Sequence, residues 1–255
     1  MCADTGTTGG RVTGPDARDV FTRVFAAFEA AKGFMPPDEG RALHEAAVEA
    51  AARLRLPLLE IGSYCGRSTL LLAEAARRAG TVVVTVDHHR GSEEQQPGQE
   101  YHDRELVDHA LDGVVPVTGP DAAAGPAAPG AGGRLDTLPF FRRTVFTAGL
   151  EEHVIAVVGR SPQAAAALGG GGGGRFGLVF VDGGHTDAHA TADYESWVPQ
   201  LALGGLLVIH DVFEDPAEGG QAPYRIWRRA LDSGAFAEGG GCRSLRVLRR
   251  TGRGL

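Results

Sequence analysis

Apolar residues recur at helical spacing in the first part of the chain and in short, strand-like runs after it. Residues 16–32 place apolar side chains every three or four positions, and residues 38–54 do so again after two prolines. Each segment therefore predicts a helix with one apolar face. Residues 1–15 are rich in Gly and Thr and lack this spacing, which predicts a disordered tail. The expected organisation is a tail followed by an N-terminal helical extension over 16–56.

From residue 57 onward, short apolar runs alternate with helical segments. The predicted strands are PLLEIG, TVVVTVD, HVIAVVG, GLVFVDGG, GGLLVIHDV and SLRVLR. The predicted helices are STLLLAEAARRAG, a segment near 103–112, DTLPFFRRTVFTAGL, a segment near 187–199 and PYRIWRRALDSGAF. Strands that alternate with helices form parallel sheets covered on both faces. The sequence therefore predicts the α/β class, as a Rossmann-like, doubly wound, mostly parallel sheet in one domain over 57–255.

Two stretches of small residues interrupt this order. Residues 119–134 (GPDAAAGPAAPGAGGR) and 169–174 (GGGGGG) contain no large apolar side chain. Such segments bury too little apolar surface to offset the entropy of ordering them. Both are predicted to be flexible insertions in surface loops of the 57–255 domain.

Composition excludes several classes of protein. The net charge of −7 disfavours nucleic acid as the partner, because Lys and Arg contacts carry most of that affinity. No window reaches the roughly 18 apolar residues of a membrane span, and the first residues lack an apolar secretory core. The three cysteines show no metal-binding or disulfide spacing. These observations predict a cytoplasmic protein that binds neither nucleic acid nor membrane.

The loop within LLEIGSYCGRST is the first candidate for a binding site, because ligands of open α/β sheets bind beyond the carboxyl ends of the strands. A phosphate-binding P-loop needs GxxxxGK[ST], but Gly62 and Gly66 are one residue too close and Arg67 replaces the lysine. A nicotinamide loop needs GxGxxG, but Tyr64 takes the position of its second glycine. Both phosphate-binding interpretations are therefore disfavoured.

Two carboxylates indicate a different ligand. Glu60 lies at the mouth of the turn, where a negative charge would repel a pyrophosphate and attract an ammonium group. Asp87 ends the second predicted strand, where an acidic side chain can accept both hydroxyls of a ribose. A nucleoside that carries an amino acid fits both positions, so S-adenosylmethionine is the predicted cofactor. The alternative is a tight strand-to-helix turn with a surface aspartate.

The motifs taken together resemble a known family. They are ExGxxxGxST at 60–69, Asp87, VVGRS at 157–161, VFVDGGH at 179–185 and LALGGLLVIHD at 201–211. This order is similar to that of the class I S-adenosylmethionine-dependent methyltransferases, and most similar to the branch that methylates sugars and other natural-product hydroxyls with a divalent metal. The resemblance covers about residues 57–250. The chain departs from the family in both insertions and in the stretch DHHRGSEEQQPG, which leaves the substrate open.

The resemblance implies roles for individual residues. Gly62, Ser63 and Gly66 would wrap the methionine part of the cofactor, and Asp87 would bind the ribose. Arg160 and Ser161 would border the adenine. The complete set of cofactor-binding candidates is Glu60, Gly62, Ser63, Gly66, Ser68, Asp87, His88, Arg160, Ser161 and Asp182.

A metal site is predicted where two strands end. Asp182 follows GLVFV and Asp211 follows GGLLVIH, and neighbouring parallel strands would bring the two carboxylates together to share one cation. His210 precedes Asp211 where the similar sugar methyltransferases carry an acidic residue, which would favour Mn²⁺ over Mg²⁺ if it coordinates. The predicted metal ligands are Asp182, His210 and Asp211. Alternatively, strand alternation turns His210 or Asp211 away, and the aspartates only hold backbone amides.

The resulting hypothesis is an O-methyltransferase that acts on a hydroxyl of a sugar or sugar-like metabolite. Asp182 and His185 are the predicted catalytic residues, because the near-neutral pKa of a histidine in this loop suits a general base. In the alternative interpretation His185 only caps the next helix. Three further functions remain open: a metal-free methyltransferase, a cofactor-binding module without catalysis, and a nicotinamide-dependent oxidoreductase.

Two surface features complete the predictions. The polar residues from His88 to Arg90, which lead into GSEEQQPG, predict either a mobile lid over the substrate or a solvated loop. The apolar faces of the two N-terminal helices must be buried, either over the pocket or against a second subunit. A homodimer that accepts a small-molecule substrate is the hypothesis.

Overall fold

The structure is a computed structural model, and it describes residues 17–108, 134–168 and 173–252. The predicted tail at 1–15 lies outside these ranges. So do the two predicted insertions, except for Arg134, Gly173 and Gly174. Within the described ranges, each helix is too short or too polar to cross a membrane.

Seven helices and nine strands make up the described part of the chain. The helices are α1 Ala17–Ala30, α2 Pro37–Leu54, α3 Arg67–Ala79, α4 Leu138–Thr147, α5 Ser161–Leu168, α6 Asp187–Trp197 and α7 Ala222–Asp232. The strands are β1 Leu58–Ile61, β2 Val83–Asp87, β3 Val107–Asp108, β4 Arg134–Leu135, β5 Val154–Val158, β6 Phe176–Val181, β7 Leu201–Ile209, β8 Phe236–Cys242 and β9 Leu245–Arg250.

The main sheet has seven strands in the order β5-β2-β1-β6-β7-β9-β8. The first five are parallel to one another, β9 pairs antiparallel with β7, and β8 pairs antiparallel with β9. This confirms the predicted Rossmann-like, mostly parallel sheet. The strand order reverses at β1, since β2 lies on one side of it and β6 on the other, and a crevice opens at the carboxyl ends of the strands at such a switch point.

Two apolar cores cover the two faces of the sheet. One contains Phe28 of α1, Leu43 of α2 and Leu71 of α3. The other contains Trp197 of α6 and Ile226 of α7. The N-terminal helices therefore bury their apolar faces on α3 and the sheet of their own chain, and the homodimer stays a prediction.

One local prediction is wrong, and two elements of the structure were not predicted. The helix expected near 103–112 is wrong for its described part, where a 3₁₀ turn at Arg104–Leu106 leads into β3, because β3 pairs with β4. Helix α5 was not predicted, although its run of alanines favours a helix. Strand β8 was also not predicted, since its three consecutive glycines are typical of a loop and only the pairing with β9 extends them.

Candidate active site

A large cleft opens at the carboxyl ends of β1, β2, β6 and β7. Its volume is about 1420 Å³, which exceeds the roughly 300–1,000 Å³ of a site for one small ligand. The cleft therefore has room for two ligands side by side. Most of the predicted site residues line it: Gly62, Ser63, Ser68, Asp87, His88, Arg160, Ser161, Asp182, His185, His210 and Asp211.

The glycine turn between β1 and α3 lies against the end of β6. Gly62 has φ +88°, and a Cβ atom there would lie 2.0 Å from the carbonyl oxygen of Asp182. No side chain fits at this position, so the turn and the Asp182 strand end are in direct contact. Gly66 also has a positive φ of +88°, and it begins α3 without lining the cleft.

Ser63 is the residue of the turn most suited to a ligand. It is buried and lines the cleft, yet its hydroxyl finds no hydrogen-bond partner among the described residues. A buried polar group without a partner costs free energy. A polar group of a bound ligand would remove that cost.

Glu60 takes a different position from the predicted one. Its side chain is fully buried beneath the turn and accepts hydrogen bonds from the hydroxyls of Ser68 (2.6 Å), Thr69 (2.5 Å) and Thr85 (2.7 Å). Burial raises the pKa of Glu60 to about 7, against the opposing effect of these three bonds. It does not line the cleft, so it shapes the turn from below instead of receiving an ammonium group.

Asp87 is at the predicted edge of the cleft, but its carboxylate already holds the backbone. One oxygen accepts from the N–H groups of Ser63 (3.0 Å) and Tyr64 (2.8 Å), and the other accepts from His89 N–H (2.7 Å). A carboxylate has about four acceptor positions, so one remains for a ribose hydroxyl. His88, the next residue, is exposed and lines the cleft.

At the β5 end of the cleft, Arg160 is exposed and Ser161 is partly buried. The Ser161 hydroxyl accepts a 2.8 Å bond from Trp197 Nε1 and also bonds to Asp193. Burial raises the pKa of Asp193 to about 6. Asp193 lines the cleft and was not predicted, because nothing in its helix distinguishes it from a surface aspartate.

Two carboxylates and one imidazole converge where β6 and β7 end. One ligand atom each of Asp182, His185 and Asp211 lies within 4.8 Å of the other two. Atoms on opposite sides of an ion bound at about 2.1 Å are about 4.2 Å apart, so a single cation fits this group with little movement. Oxygen and imidazole ligands together favour Mn²⁺ or a similar ion over Mg²⁺.

His210 lies beside this group but is engaged on both sides. Nδ1 is 3.0 Å from Asp182 Oδ1 and 3.3 Å from Asp211 Oδ2, while Nε2 is 2.8 Å from Glu39 Oε2. Burial lowers the pKa of His210, but the surrounding carboxylates outweigh it and raise that pKa well above its usual value. The group with converging ligand atoms therefore contains His185 and not His210, and the ligand set of Asp182, His210 and Asp211 stays a prediction.

The backbone of Asp211 explains why both neighbours face the cleft. In a regular strand, His210 and Asp211 would point to opposite faces. Strand β7 ends at Ile209, and Asp211 adopts a left-handed conformation with φ +55°, which turns its side chain back. Such strain at a non-glycine residue is typical of functional sites.

His185 is held between two carboxylates. Nδ1 is 3.1 Å from Glu94 Oε2 and Nε2 is 3.1 Å from Asp211 Oδ2. The bond to Asp211 outweighs burial and raises the pKa of His185 to about 9. The expectation of a near-neutral pKa is therefore wrong for this arrangement, in which the imidazole is protonated at pH 7. The burial of Asp211 opposes the bonds from both histidines, which hold its pKa well below the usual range.

The segment after β2 forms one wall of the cleft. It lines the cleft from His88 to Tyr101, and its Glu94 reaches His185. Phe34, which is 57% exposed, packs against Tyr64 and Tyr101 with ring centroids 5.6 and 5.1 Å away. The predicted lid segment therefore lies along the cleft, in a position from which it could cover a ligand. Its mobility stays a prediction.

Comparison with known proteins agrees with this geometry. Residues 59–212, more than half of the chain, match the family model described as a methyltransferase domain. Cofactor-bound Rv0187 from MTB has 19% identity and a TM-score of 0.56, with 96% of this chain and 94% of that chain covered. The O-methyltransferase from Bacillus cereus in complex with SAH has 16% identity and a TM-score of 0.51, with 93% and 91% covered.

A third similar structure is the O-methyltransferase TomG from Streptomyces achromogenes, which is involved in tomaymycin synthesis and was solved in complex with SAM. It shares 18% identity and a TM-score of 0.52, with 95% of this chain and 92% of that chain covered. At these identities the three structures establish the fold. The family match extends from the second residue of β1 to just beyond Asp211, so it includes the glycine turn and both strand-end aspartates, and the chain belongs to the methyltransferase-domain family.

Proposed function

We propose that this protein is an S-adenosylmethionine-dependent O-methyltransferase that acts on a hydroxyl of a sugar or sugar-like small metabolite. Asp182 and Asp211 hold a divalent cation, and His185 is the general base. The observation that carries the proposal is the contact between the glycine turn and the end of β6. It brings a cofactor loop and a carboxylate pair to the same part of one cleft.

Several features support S-adenosylmethionine as the cofactor. Two similar structures were solved with SAM or its product SAH. The unpartnered Ser63 hydroxyl is available to the amino acid part of the cofactor, and Asp87 keeps one acceptor position for the ribose. Arg160 and Ser161 lie at the β5 end of the cleft, where the adenine would follow from the ribose.

The reaction is an in-line displacement. The acceptor oxygen attacks the sulfonium methyl carbon, the bond from carbon to sulfur breaks, and S-adenosylhomocysteine leaves with the electron pair. The hydroxyl proton goes to His185 in its neutral form, which a cation at Asp182 and Asp211 would favour by neutralising the carboxylates that raise the pKa of the imidazole. The positioned groups lower the barrier by fixing this alignment. A divalent cation at Asp182 and Asp211 would lower the pKa of a coordinated hydroxyl and neutralise the two carboxylates.

A sugar is the proposed acceptor because vicinal hydroxyls can occupy two positions on one cation, and Mg²⁺ or Mn²⁺ retains positions for such ligands. The part of the cleft next to Asp182 is lined by His185, His210, Asp211 and Glu94, which suit a polar acceptor better than an apolar one.

Calorimetric titration with S-adenosylhomocysteine, with EDTA and with added Mn²⁺ or Mg²⁺, is the first test. Micromolar binding in all conditions is expected, since the cofactor loop does not need the metal. Methyl transfer to a panel of sugars should then require the metal. Transfer that persists in EDTA would establish the metal-free alternative. Binding without transfer to any acceptor would favour a module without catalysis, and binding of NADH instead would favour an oxidoreductase.

A second test separates the two roles open to His185, which lies in the ligand group as well as beside the acceptor position. With His185→Gln, transfer should be lost while Mn²⁺ affinity is kept, because the base is gone and both aspartates remain. Asp211→Asn should lose both. A His185→Gln protein that loses Mn²⁺ affinity as strongly as Asp211→Asn would make His185 a metal ligand and remove it as the base.

A further inference from the structure

Glu39 joins three distant parts of the chain at one buried carboxylate. It lies in the first turn of α2, and its side chain is 3% exposed. Oε1 accepts bonds from the backbone N–H and the hydroxyl of Ser244, both at 2.8 Å, in the turn between β8 and β9. Oε2 is 2.8 Å from His210 Nε2. A carboxylate removed from water needs such partners to offset its desolvation.

The His210 ring transmits this contact into the cleft. An imidazole has two hydrogen-bonding nitrogens in fixed directions. With Nε2 held by Glu39, Nδ1 points at Asp182 Oδ1, 3.0 Å away, and lies 3.3 Å from Asp211 Oδ2. The ring cannot rotate without losing bonds on both sides.

We propose that Glu39 is a positioning residue that acts through His210 to set the orientation of the Asp182 and Asp211 carboxylates. The N-terminal extension would thus complete a site whose other residues all come from the family domain. This inference rests on the proposed function, in which those carboxylates hold the cation.

The neighbouring Asp38 fastens α2 to the same turn without contacting the site. It pairs with Arg243, next to Ser244, and so it joins the same helix to the same turn. Its side chain is 44% exposed and does not touch His210. If Glu39 served only to fasten α2, its bonds to Ser244 would suffice, whereas its second oxygen contacts the ring that faces the aspartates. Asp38→Asn is therefore a matched control.

The test compares Mn²⁺ binding by calorimetry in the full-length wild type, Glu39→Ala, Glu39→Gln and Asp38→Asn. Residues that orient metal ligands typically contribute about 10- to 100-fold in affinity, and Glu39→Ala should weaken Mn²⁺ binding by that factor. Glu39→Gln retains the shape and can donate to a neutral His210, so it should recover most of the loss. Asp38→Asn should bind as the wild type does, and S-adenosylhomocysteine affinity should be unchanged in all four proteins.

Wild-type Mn²⁺ affinity in a folded Glu39→Ala protein would overturn the proposal, as would an equal loss in Asp38→Asn. If Glu39→Ala does not fold, Glu39→Asp replaces it, since it keeps the charge but withdraws it from His210. Glu39→Asp should then weaken Mn²⁺ binding several-fold, and wild-type affinity would overturn the proposal.

A metal-free measurement separates this proposal from the proposed function. Histidine side-chain ¹H–¹⁵N spectra of the apo protein should show both His210 nitrogens shifted in Glu39→Ala and unshifted in Asp38→Asn. A wild type that binds no Mn²⁺ but shows this response would refute the metal site while the coupling from Glu39 to His210 stands. An unchanged Nδ1 signal in Glu39→Ala would refute the coupling itself.

Discussion

Helix α2 contributes to two buried clusters of histidine and carboxylate, and they differ in charge balance. In the first, His44 Nε2 is 2.5 Å from Glu74 Oε2 on α3. Arg77 and Arg78 bond to the other oxygen of Glu74 at 3.1 and 2.7 Å. Burial opposes these bonds, but they lower the pKa of Glu74 to about 2. The single carboxylate of this cluster has two arginines as partners, so the cluster carries no surplus negative charge, and it lies away from the cleft.

In the second cluster, three carboxylates surround one imidazole. Glu39, Asp182 and Asp211 all lie within 3.3 Å of a His210 nitrogen. His185 provides a second positive charge, which is shared with Glu94 outside the cluster. Even with both histidines protonated, the carboxylates outnumber the cations, and the surplus negative charge faces the cleft.

The difference indicates what each cluster does. A buried carboxylate whose charge is matched by neighbouring cations joins two helices and needs no bound cation to balance it. A cluster that keeps a negative surplus at a cleft is costly unless a further cation arrives, and groups perturbed in this way are concentrated at functional sites. The first cluster should therefore govern stability, and the second should govern cation binding and activity.

The largest effect is expected from Asp182→Asn in the second cluster. In the proposed function Asp182 holds the cation, and loss of that carboxylate would remove several kcal/mol of transition-state stabilisation, so methyl transfer should fall about a thousandfold or more. The unfolding free energy should stay the same or rise, because a surplus charge is removed. Transfer assays and urea unfolding of the same preparations measure both. A marked loss of stability would show that this cluster is structural as well.

Glu74→Gln in the first cluster should produce the opposite pattern. Removing one partner of a buried ion pair costs about 3 kcal/mol of stability, while Mn²⁺ and S-adenosylhomocysteine affinities should not change. Because the pKa of Glu74 is lowered in the folded state, its contribution is present above the unfolded value of about 4.5 and is lost as the pH falls towards 2. Urea unfolding at pH 7 and pH 3 should therefore show the difference between wild type and variant shrinking at pH 3.

Glu60 extends the comparison, because it is a buried carboxylate whose partners among the described residues are hydroxyls and not cations. Its folded-state pKa is raised to about 7, so its contribution to stability is present below about pH 4.5 and is lost as the pH rises through 7. Glu60→Gln resembles the protonated form. It should match the wild type in urea unfolding at pH 4 and exceed it by about 3 kcal/mol at pH 9, because the pKa shift from 4.5 to about 7 is worth about 1.4 kcal/mol per unit. Equal stability at pH 9 would contradict the raised pKa.

The smallest effect is expected from an exposed pair on the same helix. Glu49 of α2 is 2.5 Å from Arg249 of β9, but the two side chains are 51% and 29% exposed. Exposed ion pairs contribute about 0–1 kcal/mol, so Glu49→Gln should change the unfolding free energy by less than about 1 kcal/mol. Mn²⁺ affinity should stay at the wild-type value. A loss of unfolding free energy as large as that of Glu74→Gln would show that burial does not explain the difference in stability between the two ion pairs.

The sequence was sufficient for most of the fold because the relevant signals are local. Helical spacing predicted α1 and α2, and short apolar runs predicted the strands of the parallel part of the sheet. The predicted helix near 103–112 was wrong in its described part, because pairing between β3 and β4 overrides helical spacing there. Strand β8 shows the same effect, since only its partner β9 makes a glycine-rich segment extended.

The candidate site could be predicted only in part. Gly62, Asp87, Asp182 and Asp211 lie at strand ends, and parallel strands necessarily bring those ends to one edge. The burial of Glu60 was not predictable, because it depends on hydroxyls of α3 and β2 that meet beneath the turn. The partners of a single side chain come from elements far apart in the chain.

The order of motifs by itself determined the sheet, the glycine turn and the edge of the sheet at which the cleft opens, because each depends on local spacing and on the parallel connections. The tertiary structure decided which side chains share charge there. It turned Asp211 back into the cleft through a left-handed backbone, placed His185 in the ligand group, and brought Glu39 to His210 across 171 residues. Electrostatic coupling depends on distances of a few ångströms, and only the packed chain sets those.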